Sequence, residues 1–168
     1  MIIDVIKYAR KQIVVSVIFY FLGILLGVLL FWSKSLDFNH TYNTWITIFI
    51  NNLKVAMMII IIGLITFGIG NSIMLVMNGC ILGSVIKSLI NLKMESAIIT
   101  GLFPHMFLEI IGLILCSAIS YESLILVRQM ALNKKGVIVH IGHDLKLLVI
   151  GISFLFIASI IEAYISYF

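Results

Sequence analysis

Charged side chains make up only 11% of the 168 residues, and proline occurs once, at Pro104. Soluble domains carry about a quarter charged residues, so a water-soluble globular domain is excluded. No cluster of Lys and Arg is dense enough, or interleaved with aromatics, to form a nucleic-acid surface. Cysteine occurs twice, at Cys80 and Cys116, far apart and without a C-x-x-C partner. Both stand in apolar runs and read as core thiols rather than a disulfide or redox pair. Glycine loops of the Walker or dinucleotide type are missing, and no H-E-x-x-H occurs. Ser72, Ser84 and Ser117 have no His or Lys at recognisable spacing, so nothing makes an enzyme the default. What is abundant is apolar surface: 62% of residues are hydrophobic. The mean hydropathy of +1.24 points to a bilayer. The expected fold is an all-α bundle of transmembrane helices forming one domain over 1–168.

Lys7, Arg10 and Lys11 precede an apolar run from Ile13 to Trp32. That run has spanning length, about 20 residues, and no small-x-small cleavage site follows it, so it reads as a retained first span. Its Gly23-x-x-x-Gly27 permits close helix contact. Trp32 and Trp45 flank a polar loop holding Lys34, Asp37, Asn39 and His40, as indoles do at a water–lipid boundary. The tract from Thr44 to Ile90 is too long for one crossing. Gly68-Ile69-Gly70-Asn71 divides it into spans over 44–66 and 70–90, since glycines allow a tight reversal. A second polar loop, 91–96, carries Lys93 and Glu95. The fourth span is predicted over 97–126, kinked at Pro104, with 97–103 as its start or as a separate half-helix dipping into the membrane. A long polar segment, 128–146, precedes a fifth span over 147–168.

Charge bias supports this division. With five spans, Lys7, Arg10, Lys11, Arg128, Lys134, Lys135 and Lys146 share one face, seven of the eleven basic residues. The positive-inside rule then puts the N-terminus in the cytoplasm and the C-terminus outside a bacterial cell membrane.

In that topology Asn51 and Asn52 lie roughly 10 Å into the second span from the outer face, and Lys54 about 15 Å, from the helical rise. His105 and Glu109 of the fourth span and Glu162 of the fifth also fall in the outer half, while Asn78 lies near mid-depth. Residues four apart share a helix face, so His105 and Glu109 point the same way. An acid at membrane depth is costly and normally faces a polar partner. The expectation is one intramembrane polar cluster of Asn51, Asn52, Lys54, Asn78, His105, Glu109 and Glu162. Within it, Lys54 is expected to pair with Glu109 or Glu162. Gly68, Gly70, Gly79, Gly83 and Pro104 are assigned to turns and helix packing. His140 and His143 supply two of the three or four ligands a metal site needs and read as a solvated loop. No metal and no cofactor is expected.

The motifs Asn51-Asn52-x-x-x-Ala56, Gly63, Phe67-Gly68-x-Gly70, Asn78-Gly79-x-x-x-Gly83 and Pro104-His105-x-x-x-Glu109 occur in this order. With the terminal Ile161-Glu162-Ala163-Tyr164-Ile165-Ser166, they resemble the stage II sporulation protein M (SpoIIM-like) family of polytopic membrane proteins. The likeness runs from Asn51 to the C-terminus. Met106 stands where the family commonly has glycine, and the proline often found after the terminal Glu-Ala is absent.

This pattern is most similar to a branch that includes short accessory proteins for circular bacteriocins, which are small hydrophobic peptides ligated head to tail and exported. The resemblance implies a non-catalytic subunit of a maturation, export or immunity complex. Its partners would be membrane lipid, other membrane-protein subunits such as an ATP-driven transporter, and a small hydrophobic peptide. Other readings are a sporulation scaffold for peptidoglycan hydrolases, a channel or transporter, and an intramembrane enzyme using Glu109 and His105 as acid and base.

Overall fold

Residues 2–32, 44–132 and 141–165 are described by the structure, a computed structural model. The loop residues Lys34, Asp37, Asn39, His40, Lys134, Lys135 and His140, and the final Ser166-Tyr167-Phe168, lie outside the described residues. A bilayer core offers no water to bond backbone N–H and C=O groups, so apolar segments satisfy them internally as helices. The described residues accordingly form helices and no strands. They are α1 (Ile2–Tyr8), α2 (Arg10–Leu30), α3 (Trp45–Ile65), α4 (Ile69–Asn91), α5 (Glu95–Ala97), a π-helical turn (Ile98–Leu102), α6 (Phe103–Ser120), α7 (Glu122–Ala131) and α8 (Ile141–Ile165). Five helical segments are long and apolar enough to cross a membrane: α2, α3, α4, the run from Glu95 to Ala131, and α8. The chain is a multi-pass membrane protein.

Two helix pairs form the body, α2 with α4 and α6 with α8, and α3 packs against α4, α6 and α8. Small residues let helix backbones approach closely where lipid provides no hydrophobic drive for association. A Cβ at Gly23 would overlap the Val76 carbonyl, and one at Gly27 the Cys80 carbonyl. On the facing helix, a Cβ at Gly79 or Gly83 would overlap the Tyr20 or Ile24 carbonyl. The two G-x-x-x-G stretches therefore interlock. Gly112 and Gly151 repeat the arrangement between α6 and α8, each facing the other's carbonyl. Phe156 of α8 meets Trp45 and Phe49 of α3 edge-on, at ring centroid distances of 5.7 and 5.4 Å. Cys116 is fully buried and Cys80 half-buried, and both are free thiols.

The reversal between α3 and α4 comes earlier than expected. Helix α4 already begins at Ile69, and the turn is Thr66-Phe67-Gly68. The Gly68 N–H donates to the Gly63 carbonyl at 2.7 Å, the six-to-one bond of a Schellman ending. Phe67, rather than a glycine, takes the left-handed position, at φ 53°, and Gly68 follows at φ 87°. Gly70 sits in the first turn of α4, where its N–H donates to Thr66 Oγ1 at 2.8 Å. Helix α4 ends the same way: Lys93 is left-handed at φ 58°, and the Met94 N–H reaches the Leu89 carbonyl at 2.9 Å.

No half-helix precedes Pro104. Backbone angles stay helical from Ala97 through Phe103, and the wide π turn leads directly into α6. Proline lacks an N–H and its ring crowds the carbonyl four residues back; Pro104 stands at the start of α6, beside the widened turn. Helix α6 ends at Ser120 and Tyr121 turns the chain into α7, so the expected span over 97–126 falls within the apolar run from Glu95 to Ala131. Helix α8 begins at Ile141, six residues before the expected 147, and takes in His143, Asp144 and Lys146 from the predicted polar loop. These early turns have a packing partner, since the Tyr8 ring lies 4.9 Å from that of His143.

Candidate functional site

Three helices bring the acids and amides of the expected cluster together at the bundle end where α3 and α6 begin and α8 finishes. A cavity of about 420 Å³ is lined there by Thr47, Ile48, Asn51 and Asn52 of α3, Glu109 of α6 and Glu162 of α8. On α3 the buried face repeats as Ile48, Asn52, Ala56, Ile59, Ile60 and Gly63. That spacing turns Asn52 inward and leaves Thr47 and Asn51 exposed at the rim. Asn52 is 7% exposed, and its Nδ2 is enclosed without a hydrogen-bond partner. Glu109 and Glu162 are half-buried and within electrostatic range of each other. The phenol of buried Tyr20 on α2 is within the same range of Glu109. The cavity thus presents an unpartnered donor and two carboxylates in one space, and it opens beside the exposed edge of α3.

Three residues assigned to this cluster stand elsewhere. Lys54 pairs with neither acid: it is exposed on α3 and does not line the cavity. Two residues beyond Asn52 is about 200° around the helix, so the two side chains cannot share a face. His105 is buried one turn before Glu109, yet it is closed into the packing, with Nδ1 unpartnered, and does not reach the cavity wall. Asn78 is half-buried and its Nδ2 donates back to the Met74 carbonyl of its own helix at 2.9 Å. Of that pair, Glu109 lines the cavity and His105 does not.

A second cavity, about 340 Å³, lies at the same end between α3 and α8, lined by Thr44, Trp45, Ile46, Ala163 and Tyr164. Its aromatic walls adjoin the polar cleft along the same two helices. Among the described residues, no group of three or more His, Cys, Asp or Glu is placed to hold a metal ion.

A second polar layer, unanticipated from the sequence, runs across the opposite end of the bundle. Asn71 is fully buried, and its Nδ2 donates to the Ser117 carbonyl at 3.1 Å. The Ser117 hydroxyl donates to Ser16 of α2, joining a third helix. Ser72 and Tyr121 share a hydrogen bond at 2.9 Å, and the Tyr121 ring fills the space a Cβ on Gly68 would need. Beyond the span, the Tyr8 hydroxyl donates to Glu122 Oε1 at 2.7 Å. Burial and that carboxylate push the Tyr8 phenol above its ordinary range, which keeps it a donor. The signal for this layer was in the spacing. Asn71, Leu75, Gly79 and Gly83 recur every four residues and form the buried face of α4.

Fold and site together define a multi-pass helical membrane protein with an acid-lined cleft in one end of its bundle. The chain belongs to the stage II sporulation protein M family, whose model matches residues 12–167. The match takes in α2, ahead of the motifs that begin at Asn51. No curated protein and no solved structure matches the chain.

Proposed function

We propose that this protein is a non-catalytic membrane subunit that binds a partner helix or a small hydrophobic peptide laterally, through the cleft of Asn52, Glu109 and Glu162. One observation carries the reading: the unpartnered Asn52 and the two carboxylates line one cavity together with Thr47 and Asn51, which are exposed. A donor and acceptors in one space suit an occupant that has both, such as the unsatisfied backbone at a peptide end or a cationic side chain on a partner. The neighbouring Trp45–Tyr164 cavity offers apolar surface for the rest of that occupant. In our reading, which the motif resemblance supports, the complex serves circular-bacteriocin maturation, export or immunity, with an ATP-driven transporter as a further subunit. In this reading the membrane is that of a bacterial cell and the N-terminus is cytoplasmic. Lys7, Arg10, Lys11 and Arg128 lie at the end opposite the cleft, which supports that orientation.

Purification from the native cell in gentle detergent, followed by mass spectrometry, tests the proposal. A small hydrophobic peptide or a transporter subunit is expected to co-purify, and recovery of the chain alone would contradict it. Ion flux through proteoliposomes of the pure protein would move the site to a transporter.

A further inference from the structure

A cavity larger than the acid-lined cleft stands at the other end of the bundle. A space of about 800 Å³ lies where α1, the first turns of α2, and α7 come together. Four cations border it: Lys7, Arg10, Lys11 and Arg128. No acid stands among the described residues that line it. The adjoining carboxylate, Glu122, is 5% exposed and accepts the Tyr8 hydroxyl. All four cationic residues are exposed, so a ligand reaches them without displacing packed side chains. The lining also includes apolar Val15, Leu124 and Ile125. Gln129, also on the lining, has an enclosed Oε1 with no hydrogen-bond partner.

Position decides what chemistry fits. Arg10 and Lys11 open the first membrane-spanning helix, and Arg128 follows the turn at Tyr121 where the apolar part of α6 has ended. This is the level of lipid headgroups, and basic pockets between helix ends at that level hold anionic headgroups. A phosphate alone leaves most of the volume and the apolar part of the lining unused. We infer that this cavity is a binding site for one anionic phospholipid. Its phosphate sits among Arg10, Lys11, Lys7 and Arg128, and an acyl chain runs along Val15, Leu124 and Ile125. A turn of the Gln129 side chain brings its unpartnered Oε1 to a headgroup hydroxyl, as on a glycerol headgroup. The site ties α1 and α7 to the bundle through a lipid, at the end away from the cleft.

Native mass spectrometry of the full chain released from nanodiscs tests this. The discs hold phosphatidylcholine and phosphatidylglycerol in equal amounts. Retention of phosphatidylglycerol is expected to exceed that of phosphatidylcholine by about tenfold or more. Arg10→Gln with Arg128→Gln abolishes the preference, Arg10→Lys with Arg128→Lys keeps most of it, and Lys54→Gln, on the exposed face of α3, leaves it intact. Thermal unfolding in zwitterionic detergent, unchanged across these variants, shows that the fold is retained. Equal retention of the two lipids, or an equal loss from Lys54→Gln, would overturn the assignment. Displacement of the lipid by millimolar inorganic phosphate or glycerol phosphate would assign the site to a soluble anion instead.

Discussion

Asn52 and Lys54 show how two neighbouring polar residues acquire opposite environments from helix geometry alone. Asn52 shares its face with Ala56 and Gly63 and is drawn into the bundle, while Lys54 faces outward. The pairing expected of Lys54 relied on depth, which is only one of the two coordinates a helix fixes; the angle around the axis is the other. Asn71 and Asn78 differ for the same reason: Asn71 falls on the four-residue repeat with Gly79 and Gly83, and Asn78 falls one position off it. The interlocked glycines give a sharp test at this scale. Gly79→Val drives a side chain into the Tyr20 carbonyl and should lower stability by about 1–3 kcal/mol, the usual cost of overpacking. Gly101→Ala meets nothing within 4 Å and should leave the midpoint almost unchanged. Urea or heat titration in detergent, followed by circular dichroism, compares the two. Equal effects would mean that α2 and α4 do not pack through these glycines. Asn71→Ala should cost about 1 kcal/mol in the same titration, since interhelical hydrogen bonds in bundles of this kind are modest.

Among the elements, four of the five long apolar segments were legible within a few residues at most ends, because hydropathy and length decide where a chain crosses a bilayer. Their junctions were less so. Glycine marks the α3–α4 reversal in the sequence, and Gly68 is left-handed there, but Phe67 before it is left-handed too, as is Lys93 after α4. Hydrogen bonding and packing override residue preference at both places. The wide turn before Pro104 was not visible either, since a π turn and an α turn draw on the same residues. The early first turns of α8 pack against Tyr8, more than a hundred residues away, and no local pattern signals that contact. The hairpin strain is testable. A left-handed non-glycine residue costs roughly 1–2 kcal/mol, so Phe67→Gly should stabilise the protein by about 0.5–1 kcal/mol. Gly68→Ala should destabilise it, through its φ and through the Tyr121 ring. Pairing Gly68→Ala with Tyr121→Ala should recover part of that loss, and strict additivity in the double-mutant cycle would show that ring and glycine are not in contact.

For the whole molecule, the polar residues form two layers rather than one. The layer of Ser16, Asn71, Ser117 and Tyr121 has most of its hydrogen bonds met within the bundle and reads as structural glue. The layer of Asn52, Glu109 and Glu162 encloses a cavity that reaches the surface. Depth in the sequence points to the second layer, since Glu109 and Glu162 line one cavity with Asn51 and Asn52. It could not separate His105 from the carboxylates, because sharing a helix face does not set how deeply neighbouring helices cover each residue. Lateral binding of a partner at the open cleft is the central claim. A photo-crosslinking residue placed at Thr47, on the cleft rim, tests it most directly against one at Ile73, which is exposed on α4. The account predicts a protein or peptide adduct from Thr47 in native membranes, none from Ile73, and its loss when Glu109→Gln and Glu162→Gln are combined in a variant that still folds. Adducts to lipid alone at Thr47, or an adduct that survives both substitutions, would contradict it.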